Sequence, residues 1–231
     1  MNTTFKTLYG INADTVQKTC IIMPFDIPNA AKQLGVTAMT GGKLFTCGQG
    51  QGFTLIRSGM GAGFVGDCVL WLDESPCQNI FFLGTCGLVK KTDDIDIGTL
   101  LTPDAIYPLE SFSNIITGKM STPQPIQADH SLLEMISLNI PRKSCVCFPS
   151  LHEESKHISF FNQLGADVIE MECAAFFSAA KKIHRRSSAL LIISDILGDK
   201  NFCFNLSSQQ KESLTKGIGQ AVGILQDFCA N

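Results

Sequence analysis

Residues 167–175 read Asp-Val-Ile-Glu-Met-Glu-Cys-Ala-Ala, and residues 189–195 read Ala-Leu-Leu-Ile-Ile-Ser-Asp. The apolar run in the second stretch predicts a strand that is buried on both faces, as the strands of a parallel sheet are. Open α/β sheets place their chemistry at the carboxyl ends of such strands. Asp195, which ends this strand, is therefore the first candidate for a catalytic group; its alternative role is to cap the following segment.

Two carboxylates flank a methionine in the first stretch, just before an alanine-rich segment. A carboxylate that accepts two hydrogen bonds holds the vicinal hydroxyls of a sugar well, and an aliphatic side chain packs under the sugar ring. Glu172 and Met171 together thus form a chemically sensible ribose site. Glu170 has the alternative role of a solvated charge at the end of a strand.

Strands and helices alternate along the chain, which predicts one α/β domain over residues 1–231 with a mainly parallel sheet. Residues 1–19 carry little pattern. The predicted strands cover residues 20–23, 44–47, 53–56, 79–83, 99–102, 144–148 and 189–193, and the predicted helices cover residues 26–34, 63–72, 129–138, 153–164, 173–183 and 207–228. Residues 105–127 form a long connection rich in Pro, Ser and Asn, and loops of that length are usually lids or binding loops.

Two glycine-rich segments each follow a predicted strand: residues 59–61 read Gly-Met-Gly, and residues 84–87 read Gly-Thr-Cys-Gly. Glycine in this position lets the backbone approach a ligand and present its N–H groups. Neither segment matches a P-loop or a dinucleotide-binding fingerprint. Each is therefore either part of a ligand site or a tight strand-to-helix turn without a ligand.

The composition indicates a globular protein that binds a small molecule rather than a polymer. The 231 residues carry a net charge of -3, with 45% hydrophobic and 17% charged residues. The densest basic run, residues 181–186, suits a helix end, where cations complement the dipole, better than it suits nucleic acid. The first residues do not resemble a secretory signal, and no apolar run approaches the ~20 residues that span a bilayer, so we expect a cytoplasmic location and no membrane partner.

Ten cysteines raise the question of a disulfide or metal framework. The four histidines form no recognisable ligand set with cysteines or carboxylates. We therefore expect a reduced core, no metal and no organic cofactor. Reduced cysteine in an apolar string behaves as a small hydrophobe, and this applies to Cys20, Cys68, Cys145, Cys147 and Cys173.

Three blocks, taken in order, resemble the purine nucleoside phosphorylase/uridine phosphorylase superfamily, which includes methylthioadenosine/S-adenosylhomocysteine nucleosidase and futalosine hydrolase. The blocks are Arg57-Ser58-Gly59-Met60-Gly61, then Gly84-Thr85-Cys86-Gly87 with Ile97-Gly98 downstream, then residues 168–175 with Ser194-Asp195. The resemblance implies a single α/β domain whose mixed, partly barrelled central sheet is flanked by helices. It also implies cleavage of the N-glycosidic bond of a nucleoside by a homo-oligomer, for which residues 63–72 and 176–180 are candidate interface faces.

The resemblance assigns roles by position. Asp195 protonates or hydrogen-bonds the base, so that the base leaves as a neutral group, and Ser194 lies beside it. Because the bond breaks through an oxocarbenium-like sugar, a protonated leaving group and nearby negative charge are what the reaction needs. The remaining implied site residues are Glu172, Met171, Glu170 and Met60 around the ribose, with Met60 on its 5′ side, and Thr85, Cys86 and Gly87 around the base.

The positions that bind phosphate in phosphorylases of this family differ here. The arginine expected after the first strand is Asn29, with Phe25 in place of a preceding glycine, and the arginine expected before Gly84 is Phe82. An apolar ring cannot replace a bidentate guanidinium clamp. The nucleosidases instead place a water-activating carboxylate after the first strand, and Asp26 occupies that position; its alternative role is to cap the helix predicted over residues 26–34.

The loop that recognises the base in this family also differs, because residues 147–154 read Cys-Phe-Pro-Ser-Leu-His-Glu-Glu. Phe148, Leu151 and His152 are the candidates for stacking on the base, and the sequence leaves the choice between them open.

Three hypotheses remain at this point. The first is hydrolysis of a purine-type nucleoside by water. The second is phosphorolysis, with phosphate held by Arg57 or by an arginine of a neighbouring subunit. The third is a protein that binds nucleosides and keeps the fold without catalysis.

Overall fold

Ten strands and eight helices make up the computed structural model, which describes residues 3–92, 95–135, 140–199 and 205–230. The strands are β1 (Thr19–Met23), β2 (Thr40–Gly41), β3 (Thr46–Gln49), β4 (Thr54–Arg57), β5 (Asn79–Leu88), β6 (Leu100–Pro108), β7 (Ile126–Gln127), β8 (Arg142–Cys147), β9 (Val168–Glu170) and β10 (Arg186–Ile196). The helices are α1 (Thr3–Tyr9), α2 (Ala30–Gln33), α3 (Ala62–Trp71), α4 (Phe112–Ile116), α5 (Ser131–Met135), α6 (Ile158–Gln163), α7 (Cys173–Lys182) and α8 (Ser208–Ala230).

Five strands close into a barrel, in the order β5-β9-β8-β6-β10, because β10 pairs back with β5. Within it β5 and β10 are parallel, whereas β6, β8 and β9 run the opposite way. The strands β1, β4, β3 and β2 extend the same sheet beyond β5. The predicted α/β fold with a mixed, partly barrelled sheet is therefore confirmed. The alternation of elements by itself predicted a mainly parallel sheet, and it did not indicate the antiparallel pairings of β6 and β9.

The central strand β5 is longer than predicted, because residues 84–87 continue it instead of forming a turn. One edge of β5 pairs with β10 along its whole length, and the other pairs first with β1 and then with β9. This second set of hydrogen bonds keeps the glycine-containing segment extended. The prediction of a turn was wrong because the pairing that stabilises these residues comes from distant parts of the chain.

Helices cover both faces of β5. Successive strand residues point to opposite faces, so Phe82 packs against Phe176 of α7 with 5.4 Å between ring centroids, while Phe81 packs against Phe228 of α8 at 4.8 Å. Both strand rings are fully buried, and burial of one such ring contributes roughly 1.5–3 kcal/mol. The first contact fixes α7, which begins at the candidate site, against one face of the sheet, and the second fixes α8 against the other.

The N-terminal segment, which showed little pattern, contains α1. Phe5 and Tyr9 lie four residues apart on one helix face, are buried, and stack with 4.1 Å between ring centroids. The Tyr9 hydroxyl also donates a hydrogen bond to the Cys68 carbonyl of α3. Two aromatic residues on a single short helix give too weak a periodicity to be detected from sequence.

The connection predicted over residues 105–127 is partly structured. It contains the end of β6, the short helix α4 and the strand β7, which pairs with β6. Pro103 and Pro108 lie within β6, and the register with β8 shifts after Pro103, as is usual where proline occurs in a sheet. Pro108 therefore lies in an irregular strand, whereas Pro123 and Pro125 lie in a loop, as predicted.

Three other predicted helices differ in extent. The helix α2 is short because Pro28 and the left-handed Asn29 (φ 62°) precede it. The stretch predicted as a helix over residues 153–164 is divided into a 3₁₀ turn, Glu154–His157, and α6. Residues 131–135 form α5, with the N–H of Ser131 bonded to Asp129, and residues 136–138 of that prediction lie outside the described residues.

The helix α8 approaches the barrel so closely that Gly217 has no room for a side chain. A methyl group on Gly217 would lie 2.2 Å from the Gly98 carbonyl oxygen and 3.0 Å from Ile192. The close contact between α8 and the backbone at Gly98 therefore requires glycine at position 217. We expect Gly217→Ala to destabilise the protein by about 1–3 kcal/mol, because the helix must move off the sheet.

Gly219→Ala is the matched control, since Gly219 is on the same helix and faces open space. It should stabilise the protein by about 0.5–1 kcal/mol through helix propensity. Denaturant unfolding of the two variants and the parent measures the difference. Equal stability of the two variants would show that the close contact is absent in solution.

Candidate active site

The second and third sequence blocks meet at Gly87, which pairs with a different strand on each side. Its register partner on β9 is Ile169, and its partner on β10 is Asp195. Glu170 follows Ile169 directly. The pKa of Cys86 is raised by burial and then by the charges of Asp195 and Glu170. The structure therefore brings acidic groups of β9 and β10 to the two sides of β5.

Gly87 is needed here because the space above its backbone is occupied. A methyl group on Gly87 would lie 3.1 Å from Asp195 Oδ2, 3.0 Å from Ile169 and 2.9 Å from Leu197. Each of these distances is tighter than ordinary van der Waals contact. A side chain at this position would displace the Asp195 carboxyl, so the glycine sets where that carboxyl lies.

Asp195 is buried inside β10, with 5% of its surface exposed. A turn follows the strand, closed by the bond from the Asp199 N–H to the Ile196 carbonyl, so Asp195 does not cap a helix. Ser194, at a bulge in the pairing with β5, donates its hydroxyl to Asp195 Oδ1 at 2.6 Å. Burial raises the pKa of Asp195 and the Ser194 hydrogen bond lowers it, with a net upward shift that suits a proton donor.

Glu172 connects the first glycine segment to α7. Its Oε1 accepts the backbone N–H of Gly61, at the start of α3, at 2.6 Å. The side chain is buried, and burial, followed by the charge of Glu170, raises its pKa to about 8. Residues 59–61 are thus a strand-to-helix turn that also holds a site carboxyl.

Glu170 is buried and is not a solvated strand-end charge. Its Oε2 accepts the backbone N–H groups of Glu172 and Cys173, both at 2.6 Å, and its Oε1 is buried without a hydrogen-bond partner. Burial raises the pKa of Glu170. Glu170 therefore fixes the backbone that carries Glu172 and begins α7.

The other predicted neighbours of a sugar or base differ in exposure. Met60 is 56% exposed, while Met171 and Thr85 are partly buried. The Ser194 hydroxyl also lies 3.3 Å from the Cys86 carbonyl oxygen, which links the ends of β5 and β10. Partly exposed side chains beside buried carboxyls are what a site open to a small ligand requires.

Asp26 does not cap the helix that follows it. The helix α2 begins at Ala30 with Asn29 as its N-cap, whereas Asp26 Oδ1 accepts a hydrogen bond from Arg57 Nη2 at 2.8 Å. The Asp26 side chain is 67% exposed and that of Arg57 is 32% exposed. The capping alternative is therefore wrong, and Asp26 is available to water at the ends of β1 and β4.

Phosphate-binding arginines are absent from both expected positions. Phe82 is buried against Phe176, and Asn29 adopts a left-handed backbone at the start of α2. The chain has four arginines, and only Arg57 ends a strand next to the site. Arg185 and Arg186 stand at the opposite end of β10 from Asp195, about 30 Å away at the usual rise of a strand. Arg142 begins β8 and pairs with Glu134.

The residues predicted to stack on the base lie on the loop after β8. Phe148 is buried in an aromatic cluster, with its ring 5.1 Å from Phe161 and 5.6 Å from His157. The His152 side chain is 83% exposed and bonds to Glu153 at 2.7 Å. Leu151 is 48% exposed. The structure thus places Phe148 in the core and His152 at the surface.

Glu154 is a residue that sequence reasoning missed. It begins the 3₁₀ turn after this loop and is partly buried. Burial, followed by the charge of Asp195, raises the pKa of Glu154 to about 7. A pair of adjacent glutamates was the only local signal for it, because its burial depends on the tertiary fold.

Three further observations concern metal binding, membrane-spanning helices and the cysteines. No group of three or more His, Cys, Asp or Glu side chains within the described ranges is arranged to hold a metal ion. None of the helices in those ranges combines the length and hydropathy needed to cross a bilayer. The five cysteines predicted to pack in the core are free and buried.

A comparison with known protein families identifies the family of this chain. A family sequence profile described as the phosphorylase superfamily matches residues 16–228. Among curated proteins, no sequence matches the chain.

Solved structures share the fold at low sequence identity. AMP nucleosidase from Bacteroides thetaiotaomicron superimposes with a TM-score of 0.68 and 19% identity, covering 98% of this chain and 96% of that chain. Uridine phosphorylase from Vibrio fischeri superimposes with a TM-score of 0.69 and 16% identity, covering 94% of this chain and 92% of that chain. 5′-Methylthioadenosine/S-adenosyl homocysteine nucleosidase from Campylobacter jejuni superimposes with a TM-score of 0.69 and 14% identity, covering 92% of this chain and 98% of that chain. Because both nucleosidases and a phosphorylase share the fold, the fold alone does not select the co-substrate.

The raised pKa of Glu172 predicts that this carboxyl destabilises the folded protein at neutral and alkaline pH. In the unfolded chain it ionises near its ordinary value of 4.5, but in the folded protein only near 8. Folding therefore takes up a proton between these values, and stability falls as pH rises through this window. We expect Glu172→Gln to stabilise the protein by about 1–3 kcal/mol at pH 8 and by much less at pH 5.

Urea unfolding at the two pH values measures this effect. Glu134→Gln is the control, because Glu134 is exposed and paired with Arg142, and such pairs contribute about 0–1 kcal/mol. A Glu172→Gln effect that is the same at both pH values would contradict the raised pKa.

Proposed function

The chain belongs to the phosphorylase superfamily, and from this premise we propose that it hydrolyses the N-glycosidic bond of a purine-type nucleoside. The observation that carries hydrolysis over phosphorolysis is the loss of the phosphate clamp. Buried Phe82 and left-handed Asn29 occupy the two arginine positions. Without two guanidinium groups, an oxyanion has no bidentate partner at these positions, and water becomes the favoured nucleophile.

Glu172 binds the ribose hydroxyls in this proposal. The Gly61 N–H occupies Oε1, which leaves Oε2 to meet the sugar. Glu170 holds the backbone of Glu172 through two hydrogen bonds, so its contribution to ribose binding is through position. Met171 packs against the sugar, and the exposed Met60 faces its 5′ side.

Asp195 acts on the base. A proton moves from Asp195 to a ring nitrogen as the C1′–N bond breaks, and the bonding electrons leave with the base. The raised pKa of Asp195 keeps this proton available, and Ser194 orients the carboxyl. Thr85, Cys86 and Gly87 form the adjacent wall of the base site.

Asp26 activates water in this proposal. Arg57 binds Oδ1, which fixes the carboxylate and leaves Oδ2 free to accept a proton from water. The water oxygen then bonds to C1′, and the products are free base and free ribose. General base catalysis of this kind typically contributes about 10²–10⁴-fold.

Phosphorolysis remains the second candidate because of Arg57. This arginine ends β4 beside the Gly59–Gly61 turn, and its ion pair with Asp26 is open to solvent. A phosphate ion would compete with Asp26 for the guanidinium. Binding without catalysis is the third candidate, and it is distinguished by release of base.

We also infer a cytoplasmic homo-oligomer. Free, buried cysteines suit a reducing compartment. On α3, Phe64 and Leu70 are 50% and 41% exposed, which offers an apolar face to a second copy. The other predicted face, residues 176–180, is buried within the chain against α3 and the sheet, so it is not available for an interface.

Base release in the absence of phosphate tests hydrolysis. We expect a panel of purine and pyrimidine nucleosides to include one that yields free base and free ribose in phosphate-free buffer, at a rate that added phosphate does not increase. Formation of ribose 1-phosphate only when phosphate is present would support the second candidate. Nucleoside binding without release under either condition would support the third.

Asp195→Asn tests the proton donor. Asparagine keeps the shape and part of the hydrogen bonding but cannot transfer a proton, so kcat should fall by about 10²–10⁴-fold while nucleoside still binds. Ser194→Ala is the milder comparison, because it removes only the bond that orients the carboxyl. Turnover of Asp195→Asn at the parent rate would remove Asp195 from the mechanism.

A further inference from the structure

The start of α7 carries four backbone N–H groups that need acceptors from outside the helix. An α-helix leaves its first four N–H groups without an intrahelical partner. The first intrahelical bond of α7 runs from the Phe176 N–H to the Glu172 carbonyl, so the four groups belong to residues 172–175. Glu170, at the end of β9, accepts the first two of them at 2.6 Å. The other two, on residues 174 and 175, need acceptors from another part of the chain.

Strand pairing brings Glu110 to this point. Cys147, the last residue of β8, is the register partner of Glu170 on one side and of Pro108 on the other. The Leu109 N–H then bonds to the Cys147 carbonyl at 2.9 Å, so the chain is still held one residue before Glu110. The Cys147 thiol donates to Glu110 Oε1 at 3.7 Å. The Glu110 carboxyl therefore lies beside the ends of β8 and β9, where α7 begins.

The two remaining N–H groups act on these two side chains. Burial raises the pKa of the Cys147 thiol, and the Ala174 N–H opposes this shift. Burial of its carboxyl end likewise raises the pKa of Glu110, and the Cys147 thiol and the Ala175 N–H oppose it. An N–H group that favours the charged form of a side chain points toward it. The helix start thus faces Glu170, Cys147 and Glu110, which come from the ends of three neighbouring strands.

Glu110 differs from the other two acceptors in its exposure. Cys147 and Glu170 are buried, whereas Glu110 is exposed. An exposed glutamate ordinarily keeps its carboxylate in water, but this one turns toward a buried thiol and the start of a helix. A substitution at Glu110 removes an acceptor and leaves no cavity in the core. The contribution of Glu110 to α7 is therefore through hydrogen bonding, and a variant can isolate it.

We propose that Glu110 is a positioning residue for the ribose site, because its carboxylate completes the acceptors at the start of α7 and so holds Glu172 where it meets the sugar hydroxyls. This inference rests on the proposed function, since it assumes that Glu172 binds ribose. Glu172 is the N-cap residue of α7, and the Gly61 N–H holds only one of its two carboxyl oxygens. A loosened first turn therefore moves the other oxygen, which is the one that faces the sugar in this proposal.

The effect of losing Glu110 should be confined to the sugar hydroxyls. Alanine at this position leaves the Ala175 N–H without its acceptor, and Glu172 then binds the 2′ and 3′ hydroxyls less well. The base side of the site, on β5 and β10, keeps its contacts. A ribonucleoside should lose about 10-fold in affinity, which corresponds to one hydrogen bond to a charged group. A nucleoside without these two hydroxyls should lose less than about twofold.

Equilibrium dialysis of adenosine and inosine, each compared with its 2′,3′-dideoxy form, measures this difference. The parent, Glu110→Ala and Glu110→Gln would each also carry Asp195→Asn, so that nucleoside is not consumed. Glu110→Ala should reduce the preference for the ribonucleoside over its dideoxy form by about 10-fold. Glu110→Gln should keep this preference within about threefold of the parent, because its amide oxygen still accepts a hydrogen bond.

Ser111→Ala is the matched control, since it changes the residue next to Glu110 and acts on a different helix. Ser111 caps α4 by accepting the Asn114 N–H at 3.4 Å. This variant should keep both affinities of the parent. Equal losses for the ribonucleoside and its dideoxy form in Glu110→Ala, or the same ribose-specific loss in Ser111→Ala, would overturn the positioning role.

Amide hydrogen exchange at residues 174 and 175 tests the contact without a ligand. Glu110→Ala should speed exchange there by about 10-fold, and Ser111→Ala should not. Faster exchange without the ribose-specific loss would make Glu110 a helix cap only and would overturn the inference.

The outcomes separate this inference from the proposed function. If no nucleoside is cleaved but Glu110→Ala shows the ribose-specific loss, hydrolysis fails and the role of Glu110 stands. If free base is released in phosphate-free buffer but Glu110→Ala keeps the preference of the parent, hydrolysis stands and the inference fails. If the parent binds no nucleoside, both fail.

Discussion

The pairing of one short segment of β5 with two other strands is the constraint on which the site depends. Gly87 pairs with Ile169 on β9 and with Asp195 on β10, so closure of the barrel and assembly of the acidic groups are the same event. The absence of a side chain at Gly87 makes room for the Asp195 carboxyl. Any change that widened this contact would move the proton donor as well as the strands.

The buried carboxyls illustrate an opposition between stability and function. Burial raises the pKa of Glu170, Glu172 and Asp195, so each is less stable as an ion in the folded protein than in water. Their few hydrogen bonds, from Gly61, Ser194 and the backbone of α7, offset only part of this effect. The same burial favours the protonated carboxyl, which is the form that a proton donor needs, so the feature that destabilises the fold also suits the proposed chemistry.

The phenylalanine at position 82, where phosphorylases of the family have arginine, has a structural as well as a chemical consequence. Phe82 fills the space beneath β5 and packs on α7, which a guanidinium group would have to leave partly hydrated. Arg57, the one arginine that ends a strand next to the site, is already paired with Asp26. Both features support the proposed hydrolysis, in which the nucleophile is neutral.

The sequence by itself determined the α/β class, the positions of most strands and helices, and the three blocks that contain the site, because apolar runs, glycines and paired acids are local patterns. It did not determine the length of β5 or that β6 continues as a strand through its prolines. In both strands, hydrogen bonds to distant strands override the tendency of glycine and proline to end a strand. It also left open whether Asp26, Glu170 and Asp195 were caps, solvated charges or site groups. Only the tertiary structure showed that Asp26 does not cap α2 and that Glu170 and Asp195 are buried, because burial depends on which strands become neighbours when the barrel closes.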